Sequence, residues 1–281
     1  MSLRFTKMHG LGNDYVYVSL FDQSLAEPAA LAPLISDRHR GVGSDGLILI
    51  APPTTPQAHV RMIMYNADGS RAQMCGNGIR CVAKLAYEHN LSRANPLRVE
   101  TDRGVLALEL TLDAAGRVSL VRVDMGPPLL APSQIPVRLP GERVVDALVD
   151  VDGLELHMTC VSMGNPHAVI FVDDLAAVPL RELGPKIERH VIFPERVNAH
   201  FAQVLAPDRV RMITWERGAG ATQACGTGAC AVCVAGVLSD RTRPRITAEL
   251  PGGELLLEWD APDGHVFKTG PATEVFSGVW P

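Results

Sequence analysis

Lysine is scarce in this chain: four occur among 281 residues, at positions 7, 84, 186 and 268. None sits in a recognisable site for a Schiff base, so pyridoxal-type chemistry has no visible seat. No run of basic residues is present, and the formal net charge is -5, which leaves nucleic acid and anionic membranes without an electrostatic attraction. No apolar stretch is long enough to span a bilayer. The opening Met1-Ser-Leu-Arg-Phe-Thr-Lys7 lacks the apolar core of a signal peptide, so the expected compartment is the cytoplasm. Cysteine is too sparse for a disulfide scaffold: six occur, at 75, 81, 160, 225, 230 and 233. In a reducing compartment each is a thiol with a packing, metal or catalytic role. The rest of the composition, 47% hydrophobic and 20% charged, is that of a globular protein large enough for one big domain or two modest ones.

The chain contains a repeat of itself. Val60-Arg-Met-Ile63 returns as Val210-Arg-Met-Ile213, an offset of 150. At the same offset Gln73 matches Gln223, Cys75 matches Cys225, Gly76 matches Gly226, Gly78 matches Gly228 and Val82 matches Val232. Upstream, Gly12-Asn13 and Gly164-Asn165 each precede an apolar stretch, at an offset of 152. Together these matches argue for two homologous halves.

Each half has the same local grammar. Val60–Tyr65 and Val210–Trp215 read as short buried strands. A glycine-bearing loop follows, then Cys-Gly-x-Gly, then a small-residue apolar helix over Ile79–Glu88 or Ala229–Leu238. Further strands are expected at Val99–Leu112, Arg117–Asp124, Leu154–Val161, Ala168–Val172, Ala199–Leu205 and Glu254–Trp259, and helices at Ala29–Arg38 and Leu180–His190. Alternating βαβ order is not evident, which argues against a doubly wound nucleotide fold. Five prolines between 125 and 141 mark a crossing between domains, and the last apolar stretch, through Trp280, is expected to return to the first half as a strand. The expected fold class is therefore α+β. Two pseudo-symmetric domains arise by internal duplication, each a mostly antiparallel sheet or barrel around a central helix. The active site is expected in the cleft between them. The expected boundaries are 1–122 with 270–281 for the Cys75 domain, and 123–269 for the Cys225 domain.

Two cysteines at glycine turns that open helices suit one kind of chemistry. A helix N-terminus offers unpaired N–H groups and partial positive charge, and glycines keep those groups open to an anion. Two such termini can stabilise the charge that develops as a proton leaves carbon beside a carboxylate. The same field is expected to lower a thiol from about 8.5 toward neutrality. Inversion needs a base on one face of the carbon and an acid on the other, and a duplicated chain supplies one of each.

At these residues the sequence resembles the diaminopimelate epimerases. The matching blocks are Met8-His-Gly-Leu-Gly-Asn-Asp14, Asn66-Ala-Asp-Gly-Ser70, Met74-Cys-Gly-Asn-Gly78, Met163-Gly-Asn-Pro-His167, Asn198, Glu216-Arg-Gly-Ala-Gly220 and Ala224-Cys-Gly-Thr-Gly228. The resemblance covers essentially the whole chain. It implies interconversion of LL- and meso-2,6-diaminopimelate in lysine and peptidoglycan precursor biosynthesis, with no cofactor, no metal and a small amino-acid substrate, in an enzyme that is commonly a homodimer. Carried over, Cys75 and Cys225 are the acid/base pair. The N–H groups of Gly76, Asn77, Gly226 and Thr227 hold the reacting carboxylate, with Asn13 near that end. Asn66, Asn165, Asn198, Glu216 and Arg217 hold the distal end, where a bidentate arginine suits a carboxylate, and His167 supports the cysteines. One departure concerns the Gly-x-Asp-Gln block of some members: here it reads Gly43-Ser-Asp-Gly46, so position 46 has no side-chain role.

Other readings compete. A two-cysteine proline or hydroxyproline racemase is nearest, but it typically carries His where Asn77 stands and needs no distal clamp. The isomerase class of phenazine biosynthesis lacks the paired cysteines. Cys230-Ala-Val-Cys233 has redox or zinc spacing, yet it lies in an apolar helical segment without partner ligands and is better read as core. Cys81 and Cys160 are read as core as well.

Overall fold

The computed structural model describes residues 2–72, 75–259 and 264–281. Gln73 of the repeat and Met74 of the Cys75 block lie outside the described residues. The chain forms two compact units, Met1–Asp124 with Thr269–Pro281, and Met125–Lys268.

In the first unit, β1 (Leu3–Gly10) pairs antiparallel with β2 (Asn13–Ser19) and with the C-terminal strand β18 (Thr273–Trp280). Strand β2 runs parallel to β3 (Gly46–Ala51) after the crossover helix α1 (Pro28–Ser36). Strand β3 is antiparallel to β4 (Val60–Asn66), which carries the two-residue strand β5 (Arg71–Ala72) on a tight turn. Helix α2 (Gly78–Glu88) then leads to β6 (Leu97–Thr101), parallel to β4, and antiparallel β7 (Gly104–Leu112) and β8 (Val118–Asp124) follow.

The second unit repeats this plan. Strand β10 (Leu154–Ser162) is antiparallel to β9 (Ala147–Val151) and to β11 (Pro166–Phe171). After α3 (Leu180–Glu188), β12 (Asn198–Ala206) lies parallel to β11 and antiparallel to β13 (Arg209–Glu216), which carries β14 (Gly220–Thr222). Helix α4 (Gly226–Leu238) leads to β15 (Arg245–Leu250), parallel to β13, and then to β16 (Gly253–Trp259), antiparallel to β15, with β17 (Val266–Gly270) beside β16. Strand β18 thus does for the first unit what β9 does for the second.

The registers turn the repeat into a residue map. Val16 faces Leu47 and Ile48 faces Met64 in one unit; Ala168 faces Ala199 and His200 faces Thr214 in the other. Positions in β2 and β3 therefore correspond at an offset of 152, and those in β4 and α2 at 150. The expected α+β duplication, mostly antiparallel around one helix per unit, is the architecture found. Helix α4 shows why it is central: Gly226 and every residue from Gly228 to Gly236 are buried, so it must be enclosed by strands. It packs on β10, β11, β12, β15 and β16, and α2 packs likewise on β1–β4, β7 and β8.

Two expectations need correcting. The single strand expected at Val99–Leu112 is a hairpin, because Asp102-Arg103 forms a two-residue turn. Thr101 Oγ1 donates to the Gly104 carbonyl at 2.8 Å and accepts from Arg103 N–H at 3.1 Å, and Gly104 has φ +116. The chain also contains βαβ crossovers, two per unit, which the absence of a regular βαβ alternation had concealed. The fully buried Gly46–Ala51 run is the inner strand of one of them.

Candidate active site

Cys75 sits in the turn that opens α2 and is half-buried. Its thiol donates to Asn13 Oδ1 at 3.3 Å, and Gly78 N–H donates to the sulfur at 3.3 Å. Asn13 is held from behind, its amide NH2 donating to Asp45 Oδ2 at 2.8 Å. Burial pushes the neighbouring Tyr15 phenol up, and the charge of Cys75 adds to that. The Cys75 turn is braced by Arg80, a fully buried residue that sequence reasoning passed over. Its guanidinium donates to the carbonyls of Gly76 and Pro271 and to Asn77 Oδ1, at 3.1–3.2 Å. The signal was available: Arg80 stands among Ile79, Cys81 and Val82 at the start of the helix, and an arginine buried there needs such partners. Gly46 approaches the backbone so closely that a Cβ would lie 2.2 Å from the Tyr65 carbonyl oxygen, so this position excludes any larger residue.

Cys225 is the N-cap of α4 and only 5% exposed. Its sulfur lies 3.7 Å from Thr227 Oγ1. Gly226 and Thr227 are the first residues of the helix, where N–H groups have no intrahelical acceptor. The helix terminus and Thr227 do favour the thiolate, but burial and then the negative charge of Glu216 outweigh them and push the Cys225 thiol well above its ordinary value. This corrects the expectation that a helix terminus brings each cysteine toward neutrality: Cys225 rests as a thiol. Because Cys75 is half-buried and Cys225 nearly closed off, iodoacetamide should label Cys75 first. Peptide mapping of partly alkylated protein checks this, and Cys225-first labelling would contradict it.

Behind Cys225 lie two fully buried histidines. His167 Nε2 is 2.9 Å from Asn165 Oδ1, His167 Nδ1 is 2.9 Å from His200 Nε2, and His200 Nδ1 is 2.9 Å from Thr214 Oγ1. Burial holds His200 down to about 3, and burial together with His200 and Arg217 holds His167 well below the ordinary histidine value. Both are neutral at physiological pH. His200 and Thr214 escaped sequence reasoning because their repeat partners, Ile48 and Met64, are apolar.

Among the described residues, His167, His200 and Cys225 form one set whose ligating atoms lie within 4.8 Å of one another. The histidine nitrogens at 2.9 Å are nearer than the ~3.3 Å that a tetrahedral ion bound at about 2.0 Å would set between them. That spacing is a hydrogen bond's.

Asn198 is buried, its NH2 donating to the Pro166 carbonyl at 2.8 Å and its Oδ1 accepting from Arg217 N–H at 2.9 Å. It thereby fastens the turn that follows β13. Glu188, also buried, accepts from Trp215 Nε1 at 2.7 Å and from Gly218 N–H at 3.2 Å and holds the same turn. Glu216 accepts from Thr222 Oγ1 at 2.5 Å. The Arg217 side chain is exposed and donates to the Glu195 carbonyl at 2.9 Å. The Asn66 amide donates to Ser70 Oγ at 2.9 Å within its own turn. The second unit thus gathers Asn165, His167, Glu216 and Cys225 closely, and the first gathers Asn13, Asn77 and Cys75.

The comparisons with known proteins bear on the whole chain. The family model described as diaminopimelate epimerase matches residues 5–131 and 159–275. The diaminopimelate epimerase of Pelotomaculum thermopropionicum is 52% identical over 282 residues, covering 99% of each chain. That of Acetivibrio thermocellus is 50% identical over 276 residues, covering 98% of each. Solved structures share the fold at low identity. A Bacillus anthracis phenazine biosynthesis protein aligns with a TM-score of 0.71 at 15% identity, covering 100% of this chain and 99% of its own. A probable proline racemase from Agrobacterium radiobacter K84 aligns at 0.69 and 17%, covering 98% and 92%. The duplicated fold is common to several isomerases, whereas identity near one half over the full length is not, and this chain belongs to the diaminopimelate epimerase family.

Proposed function

We propose that this protein interconverts LL- and meso-2,6-diaminopimelate without a cofactor, as an isomerase of lysine and peptidoglycan precursor biosynthesis, and that Cys75 and Cys225 are its two acid/base residues. The observation that carries this reading is the equivalence of the cysteines: each stands at the same point of two topologically identical units, at the turn opening the enclosed helix. The reacting carboxylate is held by N–H groups of Gly76, Asn77, Gly226 and Thr227, which stabilise the carbanion-like charge as it develops. In one direction Cys75, once its thiol has released its proton to solvent, takes the α-proton as a thiolate while the Cys225 thiol, kept protonated by burial, gives its proton to the opposite face of the carbon. One proton leaves carbon, one arrives, and the two cysteines exchange roles for the return reaction.

In this proposal Asn66, Asn165, Asn198, Glu216 and Arg217 receive the distal amino-acid end, Asn198 also holding the Arg217 turn, and His167 supports the Cys225 side. Residues 1–122 with 270–281 form the Cys75 half of the enzyme, and 123–269 the Cys225 half. The protein acts as a homodimer in the cytoplasm; among the described residues no helix is long and apolar enough to cross a membrane.

The decisive experiment offers diaminopimelate and proline side by side in D₂O. Deuterium is expected at the α-carbon of diaminopimelate, with inversion, and none in proline. Exchange into proline alone would replace this reading with that of a proline-type racemase.

A further inference from the structure

The asparagines Asn13 and Asn165 occupy equivalent positions of the two units, yet they are held by opposite ends. Asn13 is gripped through its NH2 by Asp45, which leaves its carbonyl oxygen to accept from Cys75. The position equivalent to Asp45 is the buried Val197, whose side chain has no acceptor with which to grip Asn165 that way. It is held instead through its oxygen, by His167 Nε2 at 2.9 Å. Among the described residues no protein group accepts from its NH2, and the side chain is half-buried.

We propose that Thr214 and His200 are positioning residues that act through His167 to fix the Asn165 amide with its NH2 presented as a donor to a substrate carboxylate. This rests on the reading that Asn165 touches substrate. The chain of 2.9 Å bonds Thr214–His200–His167–Asn165 can run in only two senses. In one, the threonine hydroxyl donates to His200 Nδ1, His200 Nε2–H donates to His167 Nδ1, and His167 Nε2–H donates to the Asn165 oxygen. In the other, every donor is reversed, Asn165 turns its oxygen outward and the Thr214 hydroxyl accepts. Thr214 is buried, and among the described residues His200 is the one side-chain partner of its oxygen. The reversed sense would therefore strand a hydroxyl proton away from water, whereas the first leaves only a spare lone pair, the lesser cost. The first sense is selected, and it fixes the amide.

The cross-strand register supports the assignment. His200 and Thr214 face one another across β12 and β13, and β11 with His167 lies on the other side of β12. Three neighbouring strands thus carry the chain in a rigid frame. The equivalent residues of the first unit, Tyr15, Ile48 and Met64, cannot form it, so the device belongs to one end of the substrate only.

Two measurements test this. Long-range ¹H–¹⁵N spectra of the wild-type protein, assigned with His167→Asn and His200→Gln variants, should show both buried rings as Nε2–H tautomers. Nδ1–H tautomers would overturn the proposal, and this result does not depend on which amino acid is the substrate. Kinetically, Thr214→Val should raise KM for diaminopimelate about tenfold and leave kcat within about twofold, since the lost contact is one made equally in ground and transition states. Thr214→Ser, which keeps the donor, should restore the wild-type KM. An unchanged KM in Thr214→Val, or a fall in kcat at constant KM, would overturn it. Failure of the proposed function would look different: the wild-type protein itself would not turn over diaminopimelate.

Discussion

Cys225→Ala protein should lose inversion of diaminopimelate by about 10²–10⁴-fold while still exchanging one α-proton with solvent. General acid–base groups contribute about that much to proton transfer, equivalent to roughly 3–5 kcal/mol of barrier. What separates a two-base mechanism from a one-base mechanism is what each variant keeps. With Cys225 gone, Cys75 can still remove the proton on its own face and, after exchange with D₂O, return a deuteron to that face. The product keeps its configuration and gains one deuterium at the reacting carbon. Cys75→Ala should do the same to the opposite configuration of that carbon. NMR of the recovered diaminopimelate, with chiral separation, reads both outcomes. If either variant inverts the centre at a near-native rate, or if both wash out the same isomer, the assignment of one cysteine to each face fails. The Cys225 arm has a further expectation. Its thiol is protonated at rest because burial and Glu216 both oppose the thiolate, so its part in the resting enzyme is that of the acid. Glu216→Gln should then ease ionisation of Cys225 and shift the basic limb of the pH profile downward.

The duplication is legible where identity persists, in Val60-Arg-Met-Ile63 against Val210-Arg-Met-Ile213 and in the two Cys-Gly-x-Gly turns. Elsewhere a core position of a strand accepts any side chain that fits its neighbours. Strand β3 and β12 illustrate the limit. Ile48 and His200 are structural equivalents, and no periodicity argument would pair an isoleucine with a histidine. The same divergence concealed Thr214 behind Met64 and Val197 behind Asp45. Single-strand boundaries failed where a tight turn had little sequence contrast, as at Asp102-Arg103. The helix-terminus argument for low thiol pKa failed for another reason: the pattern shows the dipole but cannot show that Cys225 is closed off from water, and desolvation outweighed the dipole. Arg80 lies between these cases. Its position in α2 was readable, but that its guanidinium braces Gly76 and Asn77 emerges only from the folded turn.

Replacing Gly228 with alanine should be far more damaging than the same change at its repeat partner Gly78, although both glycines stand in the same Cys-Gly-x-Gly turn. A Cβ at Gly228 would lie 2.1 Å from His200 Cε1 and 2.7 Å and 2.8 Å from the ring nitrogens. That ring is fully buried and tied at both nitrogens, to His167 and to Thr214, so it can yield only by breaking a hydrogen bond. Overpacking costs about 1–3 kcal/mol, and a buried polar group left unpaired costs roughly another 1–3 kcal/mol. Against this stands the helix preference for alanine over glycine, about 1 kcal/mol. The net loss for Gly228→Ala is on the order of 3 kcal/mol. At Gly78 the nearest obstacle is Ile48 Cδ1 at 2.7 Å, the far end of a flexible side chain that can rotate away. Gly78→Ala should therefore change stability by only about 1 kcal/mol or less, helix propensity offsetting most of the crowding. Urea denaturation of both variants measures the difference, and equal losses would show that the histidine ring is not the obstacle. A double variant adds the control. His200→Ala empties the space that the new methyl needs, so Gly228→Ala with His200→Ala should cost less than the sum of the two single changes. If the costs simply add, the clash with His200 is not what keeps glycine at this turn.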